Sequence, residues 1–275
     1  MIFYKTSTSG NDFIIVDRGE FERSTAEDSE FSKDICRREK SDGVIFYSVE
    51  NEITDFSIIN SDGSKAEVSG NGMAGLASVL FASGQYDKKV VLKTRAGIRT
   101  IHLIKSENTI FKLQVDMGLP EFNEKKFFPF LIRGEKKYEY KGTSFYPVST
   151  GNPHAVVILN ENTKDLSKLI KTGKKLESGT IFPERTNVEF VFPFEEKDNN
   201  EPLVIEAFFY ERGAGVTSFS STGTTAVFSV LNALGKIGES MKIQTREGTV
   251  PVFLKGKIFI ESSTKIVYKR EYHKD

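Results

Sequence analysis

A chain of 275 residues is long enough for one large core or two modest ones. Its 38 Lys+Arg and 38 Asp+Glu cancel to a formal net charge of zero, which offers no electrostatic footprint for nucleic acid or an anionic membrane. The one cysteine, Cys36, excludes an intrachain disulfide and a cysteine-based metal cluster, and His102, His154 and His273 lie too far apart for a local metal motif. No apolar run reaches spanning length, and the opening Met1-Ile2-Phe3-Tyr4-Lys5 lacks the basic start of a secretory signal. A cytoplasmic globule without membrane contact or metal is the expectation.

In chain order, the polar stretch 24–38 reads as a surface helix. The segment 73–82 is apolar or small on nearly every face, the pattern of a helix buried all round. Strands follow at 90–94, 98–104 and 110–115, rich in β-branched residues and bounded by Gly or Asn turns. A helix is expected at 164–175, carrying Leu166, Leu169 and Ile170 on one side, then a strand at 204–210. The segment 224–233 repeats the all-round apolar pattern, and 257–260 is again a strand.

The two buried-helix segments belong to a longer repeat. Val68-Ser69-Gly70-Asn71-Gly72-Met73-Ala74 aligns without a gap on Phe219-Ser220-Ser221-Thr222-Gly223-Thr224-Thr225, 151 positions later, and Ser78-Val79-Leu80 meets Ser229-Val230-Leu231. The same offset pairs Thr94-Arg95-Ala96-Gly97 with Thr245-Arg246-Glu247-Gly248. Gly10-Asn11-Asp12-Phe13 echoes Gly151-Asn152-Pro153-His154 at an offset of 141, reconciled by extra residues around 195–201. The reading is an α+β fold of two pseudo-symmetric lobes, each a mostly antiparallel or mixed sheet or barrel around one buried helix. The lobes are expected at 1–117, with the tail 265–275 returning to it, and at 144–265, joined by a connecting segment 118–143.

Each buried helix follows a small polar loop, Ser69-Gly70-Asn71-Gly72 or Ser220-Ser221-Thr222-Gly223. First-turn amides lack intrahelical partners and carry the positive end of the helix dipole, and glycine admits a ligand to the backbone, so such a start can hold a carboxylate. Plain N-capping by serine explains the same residues. Around the loops lie Asn11, Asn60, Asn152, His154, Asn187, Glu211 and Arg212, which could hold an amino acid by its ammonium and carboxylate groups. Individually, each Asn is also a common turn residue.

The stretches Gly10-Asn11-Asp12-Phe13, Asn60-Ser61-Asp62-Gly63-Ser64, Ser69-Gly70-Asn71-Gly72, Gly151-Asn152-Pro153-His154, Phe182-Pro183-Glu184-Arg185-Thr186-Asn187 and Glu211-Arg212-Gly213-Ala214-Gly215 come in one order and span nearly the whole chain. In that order they resemble the signature of the diaminopimelate epimerase family. The resemblance implies two pseudo-symmetric lobes with an amino-acid substrate in the cleft between them, in lysine or peptidoglycan precursor synthesis. It implies chemistry without cofactor or pyridoxal phosphate, in which two cysteines exchange a proton at opposite faces of Cα. The reacting carboxylate would lie at the two helix starts, Gly70, Asn71, Ser221 and Thr222, with Asn11 beside them. Asn60, Asn152, Asn187, Glu211 and Arg212 would hold the distal end. His154 and Glu211 would help set thiol ionisation. A homodimer is left open.

This chain departs from that pattern at the two reacting positions: Ser69 and Ser220 stand where the family carries cysteine, and Ser221 where it carries glycine. A free thiol titrates near ~8.5 and a helix start lowers it further. A serine hydroxyl is far less acidic, and a dipole worth about 0.3–1 kcal/mol offsets less than one pH unit. Serine needs a base beside it, and His154 is the candidate. Three readings follow. One is an epimerase acting through serine; another is a pseudoenzyme that still binds an amino acid; the third is an isomerase or dehydratase of another substrate.

Overall fold

The computed structural model describes residues 1–20, 27–160, 165–195, 202–245 and 248–272. The first residues of the helix expected at 24–38, residue 164, the proposed insertion after 195, Arg246, Glu247 and the last three residues lie outside them. The chain divides into a first unit, Met1–Asp116 with Glu261–Asp275, and a second, Met117–Ile260.

The first unit begins with β1 (Ile2–Thr8) and β2 (Asn11–Asp17), followed by α1 (Glu27–Glu39), β3 (Gly43–Glu50), β4 (Ile53–Asn60) and the short β5 (Lys65–Ala66). Then come α2 (Gly70–Ala82), β6 (Lys89–Thr94), β7 (Gly97–Glu107) and β8 (Ile110–Gly118). The chain's last strand pairs antiparallel with β1, Ile2 opposite Glu271, and closes an eight-stranded barrel. Strand alternation decides what lies inside. Ile15 and Ile45 point at α2, while Ile14, Val16, Val44, Phe46 and Ile59 point outward into a core covered by Phe31, Ile35 and Cys36 of α1. Buried Asp28 anchors α1 to the turn that follows β2 through a two-pronged bond with Arg18, at 2.9 and 2.6 Å.

The second unit holds β9 (Tyr138–Tyr140), β10 (Thr143–Ser149), β11 (Pro153–Ile158), α3 (Leu166–Glu177) and β12 (Asn187–Val191). It continues with β13 (Leu203–Ile205), β14 (Ala207–Glu211), β15 (Gly215–Thr217), α4 (Ser221–Ala233), β16 (Ser240–Thr245), β17 (Gly248–Lys255) and the start of β18 (Lys257–Glu271). One sheet runs β15-β14-β12-β11-β10-β9, and β13, β16, β17 and the start of β18 form the other side around α4. α3 packs on the opposite face of the first sheet, its Leu169 and Leu176 against Ala155, Val157, Val188 and Phe190. Burying a side chain such as Phe145 or Phe190 contributes about 1.5–3 kcal/mol.

One expectation changes. The single strand at 204–210 is two, because Glu206 lies where the chain passes from β13, paired with β16, to β14, paired with β12. On α3, Leu169 is buried but Leu166 and Ile170 are exposed; Gly173 completes the inward stripe, so close to Tyr210 that a Cβ there would lie 2.7 Å from its ring. Within the stretch 118–143, Phe127 and Phe128 are buried in the second unit's aromatic core with Phe145 and Phe182. Among the described residues, no helix is long and apolar enough to cross a membrane.

Candidate functional site

Both buried helices begin in the same way. Ser69 caps α2 from an extended conformation, its hydroxyl oxygen accepting the Gly72 amide at 3.1 Å. Ser220 caps α4, accepting the Gly223 amide at 3.1 Å. Each cap satisfies one of the orphan first-turn donors, and replacing it by alanine costs about 0.5–2 kcal/mol. The helices begin immediately after these serines, earlier than the apolar runs alone indicated.

Strand register carries the other candidates to the same ends of the sheets. In the first unit β2 and β3 pair parallel with Phe13 beside Gly43, and β4 returns antiparallel with Asn60 beside Gly43. In the second unit β11 and β12 pair parallel with His154 beside Asn187, and β14 returns antiparallel with Tyr210 beside Val188. Glu211 therefore ends β14 where Asn60 ends β4.

At the start of α2, buried Asn71 donates from Nδ2 to Asn11 Oδ1 at 2.7 Å. Asp42, a residue the motif reading passed over, accepts the Asp12 amide at 2.8 Å. Burial raises the Asp42 carboxyl above its usual range, opposed by hydrogen bonds from the Asp12 amide and the Asn11 side chain, and the nearby Asp12 charge adds to the shift. Asn60 turns to its own loop, its Nδ2 donating to Ser64 Oγ at 3.0 Å. Gly70 is buried in the first turn, and Ser69 is half-buried.

At the start of α4, Ser220 is 3% exposed and donates its proton to Glu211 Oε2 at 3.0 Å, while Thr217 donates to Glu211 Oε1 at 2.6 Å. Burial raises the Glu211 carboxyl, opposed by these two hydrogen bonds; Glu189 raises it further and His154 lowers it. Ser221 and Thr222 are buried in the first turn, Thr222 Oγ1 standing 3.5 Å from Ser220 Oγ. Asn187 is taken up by the backbone: Nδ2 donates to the Pro153 carbonyl at 2.9 Å, and Oδ1 accepts the Arg212 amide at 2.9 Å. Arg212 Nη1 donates to the Glu184 carbonyl at 3.0 Å. Buried Glu177 ties both loops down, pairing with Arg185 and accepting the Gly213 amide at 3.2 Å.

His154 is fully buried, with Nδ1 2.8 Å from Glu189 Oε1 and Nε2 2.9 Å from Asn152 Oδ1. Both ring nitrogens thus have partners inside the second unit. Glu189 was not among the residues expected at the site. In Asn187-Val188-Glu189-Phe190-Val191 the alternation reads as a strand with one wet face, and no motif marked the carboxylate.

The family model described as diaminopimelate epimerase matches residues 3–123 and 146–262. The diaminopimelate epimerase of Methanococcus aeolicus is 32% identical over 98% of this chain and 98% of its own. Among solved structures, a predicted epimerase from Pseudomonas aeruginosa superposes with a TM-score of 0.68 at 13% identity, covering 100% of this chain and 99% of that one. A probable proline racemase from Agrobacterium radiobacter, solved with bound carbonate, has a TM-score of 0.68 at 15% identity over 100% and 93%. At these identities the two structures speak for the shared fold alone.

Proposed function

The chain belongs to the diaminopimelate epimerase family, and from that premise we propose that it binds an amino acid of the diaminopimelate class while exchanging the Cα proton far more slowly than a thiol pair would. Its metabolic setting on this reading is diaminopimelate and lysine synthesis, and the acid–base chemistry at Cα calls for no cofactor.

The observation that carries this reading is the engagement of Ser220, whose oxygen caps α4 and whose hydroxyl donates a hydrogen bond to Glu211. Epimerisation needs, at each face of Cα, a group that is basic in one direction and acidic in the other near neutral pH. A capping hydroxyl keeps its proton there. His154 does not relieve the deficit within the second unit, because both its nitrogens are held by Glu189 and Asn152. The binding residues fare differently: Asn152, Asn187, Glu211 and Arg212 are all retained, Asn187 and Glu211 at strand ends, Asn152 in the turn before β11 and Arg212 in the loop after β14.

The test is calorimetry with LL- and meso-diaminopimelate, alongside Cα–H exchange in D2O followed by NMR. Uptake with little exchange is the expected result. Exchange at an enzymatic rate by the native protein would overturn the proposal, and absence of binding at millimolar ligand would remove the amino-acid reading altogether.

A second reading rests on Glu211. A carboxyl raised by burial and bonded to Ser220 is a stronger base than an ordinary glutamate, suited to one-sided proton transfer in an isomerisation or dehydration. Exchange by the native protein that Glu211→Gln abolishes, without inversion at Cα, would favour it.

A further inference from the structure

The last turn of α4 borders a cavity of about 540 Å³, a volume typical of small-molecule sites, whose apolar wall includes Phe122, Leu131, Tyr146, Val230 and Leu234. All of these residues lie within the second unit. α4 has 13 residues, so about 20 Å of helix separates this end from the capping serine at its start. Phe122, Leu131, Tyr146 and Leu234 are half-buried and keep apolar surface on the cavity. The first unit differs at this place. The repeat sets Ser83, the C-cap of α2, against Leu234, the C-cap of α4, and the Ser83 hydroxyl turns back to the Leu80 carbonyl at 2.9 Å.

Hydrogen bonds fix the outer wall. Glu135 donates its amide to the Ile132 carbonyl at 3.2 Å across Gly134, whose φ of 92° would strain any side chain. The Tyr138 hydroxyl accepts the Ile132 amide at 2.8 Å, and Lys136 Nζ donates to the Ala233 carbonyl at 3.3 Å. That ammonium answers the negative end of α4. Arg133, which also lines the cavity, forms no ion pair among the described residues, and Glu135 is the one acid beside the two cations. On β10, Phe145 turns into the core against α3 and its neighbour Tyr146 to the cavity, where its hydroxyl has no hydrogen-bond partner among the described residues. Tyr146 also borders a second cavity of about 380 Å³, lined by Lys137 and Lys236 and, among the described residues, by no acid. The charge on both sides of Tyr146 thus favours an anion.

We propose that the cavity at the end of α4 is a binding site for a small carboxylate with an aromatic or branched apolar body. Leu131, Val230 and Leu234 take the body, Arg133 answers the charge, and the Tyr146 hydroxyl is a further donor. This site is separate from the one at the start of α4, and the inference does not rest on the function proposed above.

The probe is 3-phenylpropanoate, titrated into the full chain and followed in 1H–13C methyl spectra. The Leu131, Val230 and Leu234 methyls should shift together and saturate at millimolar ligand. The neutral 3-phenylpropanamide should bind about tenfold more weakly, the value of one hydrogen bond to a charged group. Arg133→Gln should lower affinity for the carboxylate by the same factor and leave that for the amide unchanged. Tyr146→Phe should lower it about fivefold. Ala233→Trp, at an exposed position on the cavity, should keep the melting temperature and abolish the shifts. Equal affinity for acid and amide overturns the proposal, as do shifts that survive Ala233→Trp or an absence of shifts at these methyls. If the same methyls move on dilution without ligand, a second copy of the chain covers the cavity and the proposal fails.

Discussion

Ser220 donates its hydroxyl proton to Glu211 Oε2 over 3.0 Å, and the carboxyl that receives it is held above the ordinary glutamate range chiefly by burial. A raised carboxyl binds more protons in the folded chain than in the unfolded one between the two pKa values. Stability is therefore intact below the unfolded value, near ~4.3, and falls as pH climbs through the folded one. Glu211→Gln removes the titration. The native protein should lose melting temperature relative to this variant as pH rises, and the gap should close in acid. Parallel curves from pH 4 to 8 would show that Glu211 is not desolvated.

Cysteine at both helix starts should restore proton exchange. A thiol there has its pKa lowered towards neutrality, whereas a hydroxyl does not reach it. Ser69→Cys/Ser220→Cys should exchange the Cα proton of diaminopimelate in D2O at least about 10²-fold faster than the native chain, the scale of a positioned acid–base group. The exchanged caps should lower stability by about 0.5–2 kcal/mol per helix. Failure of a ligand-binding double variant would mean that Ser221 and its surroundings have diverged with the thiols.

Arg212 supplies a guanidinium fastened to the Glu184 carbonyl, with its own amide on Asn187. Arg212→Ala should weaken diaminopimelate binding by about 1.5–3 kcal/mol, the worth of a charged hydrogen bond, as read by calorimetry. Because the amide contact to Asn187 survives the substitution, the fold should persist by circular dichroism. Equal affinities would remove Arg212 from the binding set.

The two first-turn glycines should respond unequally to alanine. At Gly223 the new Cβ would lie 2.8 Å from Glu189 Oε1 and 2.9 Å from Phe209 Cδ1, against a carboxylate already held by His154. At Gly72 the nearest atom is the terminal methyl of Ile45, which can rotate away. Urea unfolding should show Gly223→Ala losing about 1–3 kcal/mol, and Gly72→Ala markedly less. Equal losses would mean that the Glu189 side chain is free to move.

Much of this protein is written locally. The starts of α2 and α4 were legible because a capping serine and the all-round apolar run after it act within a few residues. The resemblance to the family, carried by ordered motifs, implied Asn11, Asn60, Asn71, Asn152, His154, Asn187, Glu211, Arg212 and both serines as site positions. Strands 90–94, 98–104 and 110–115 followed from β-branched runs between turns, and they fall within β6, β7 and β8.

What tertiary structure alone decided is which polar residues lose water. β12 reads as a strand with one wet face, yet all five of its residues are buried, because α3 covers Val188 and Phe190 while Glu189 turns to the start of α4. Alternation tells which side a residue takes and cannot tell whether that side is dry. The same limit holds on α3, where Leu169 is buried while Leu166 and Ile170 are exposed, and Gly173 lies close against Tyr210. So the sequence by itself determined the family, the two helix starts and the absence of thiols at both. Only the packing of strands between helices made Glu189 and His154 a dry, paired unit beneath one start and left Ile45 beneath the other.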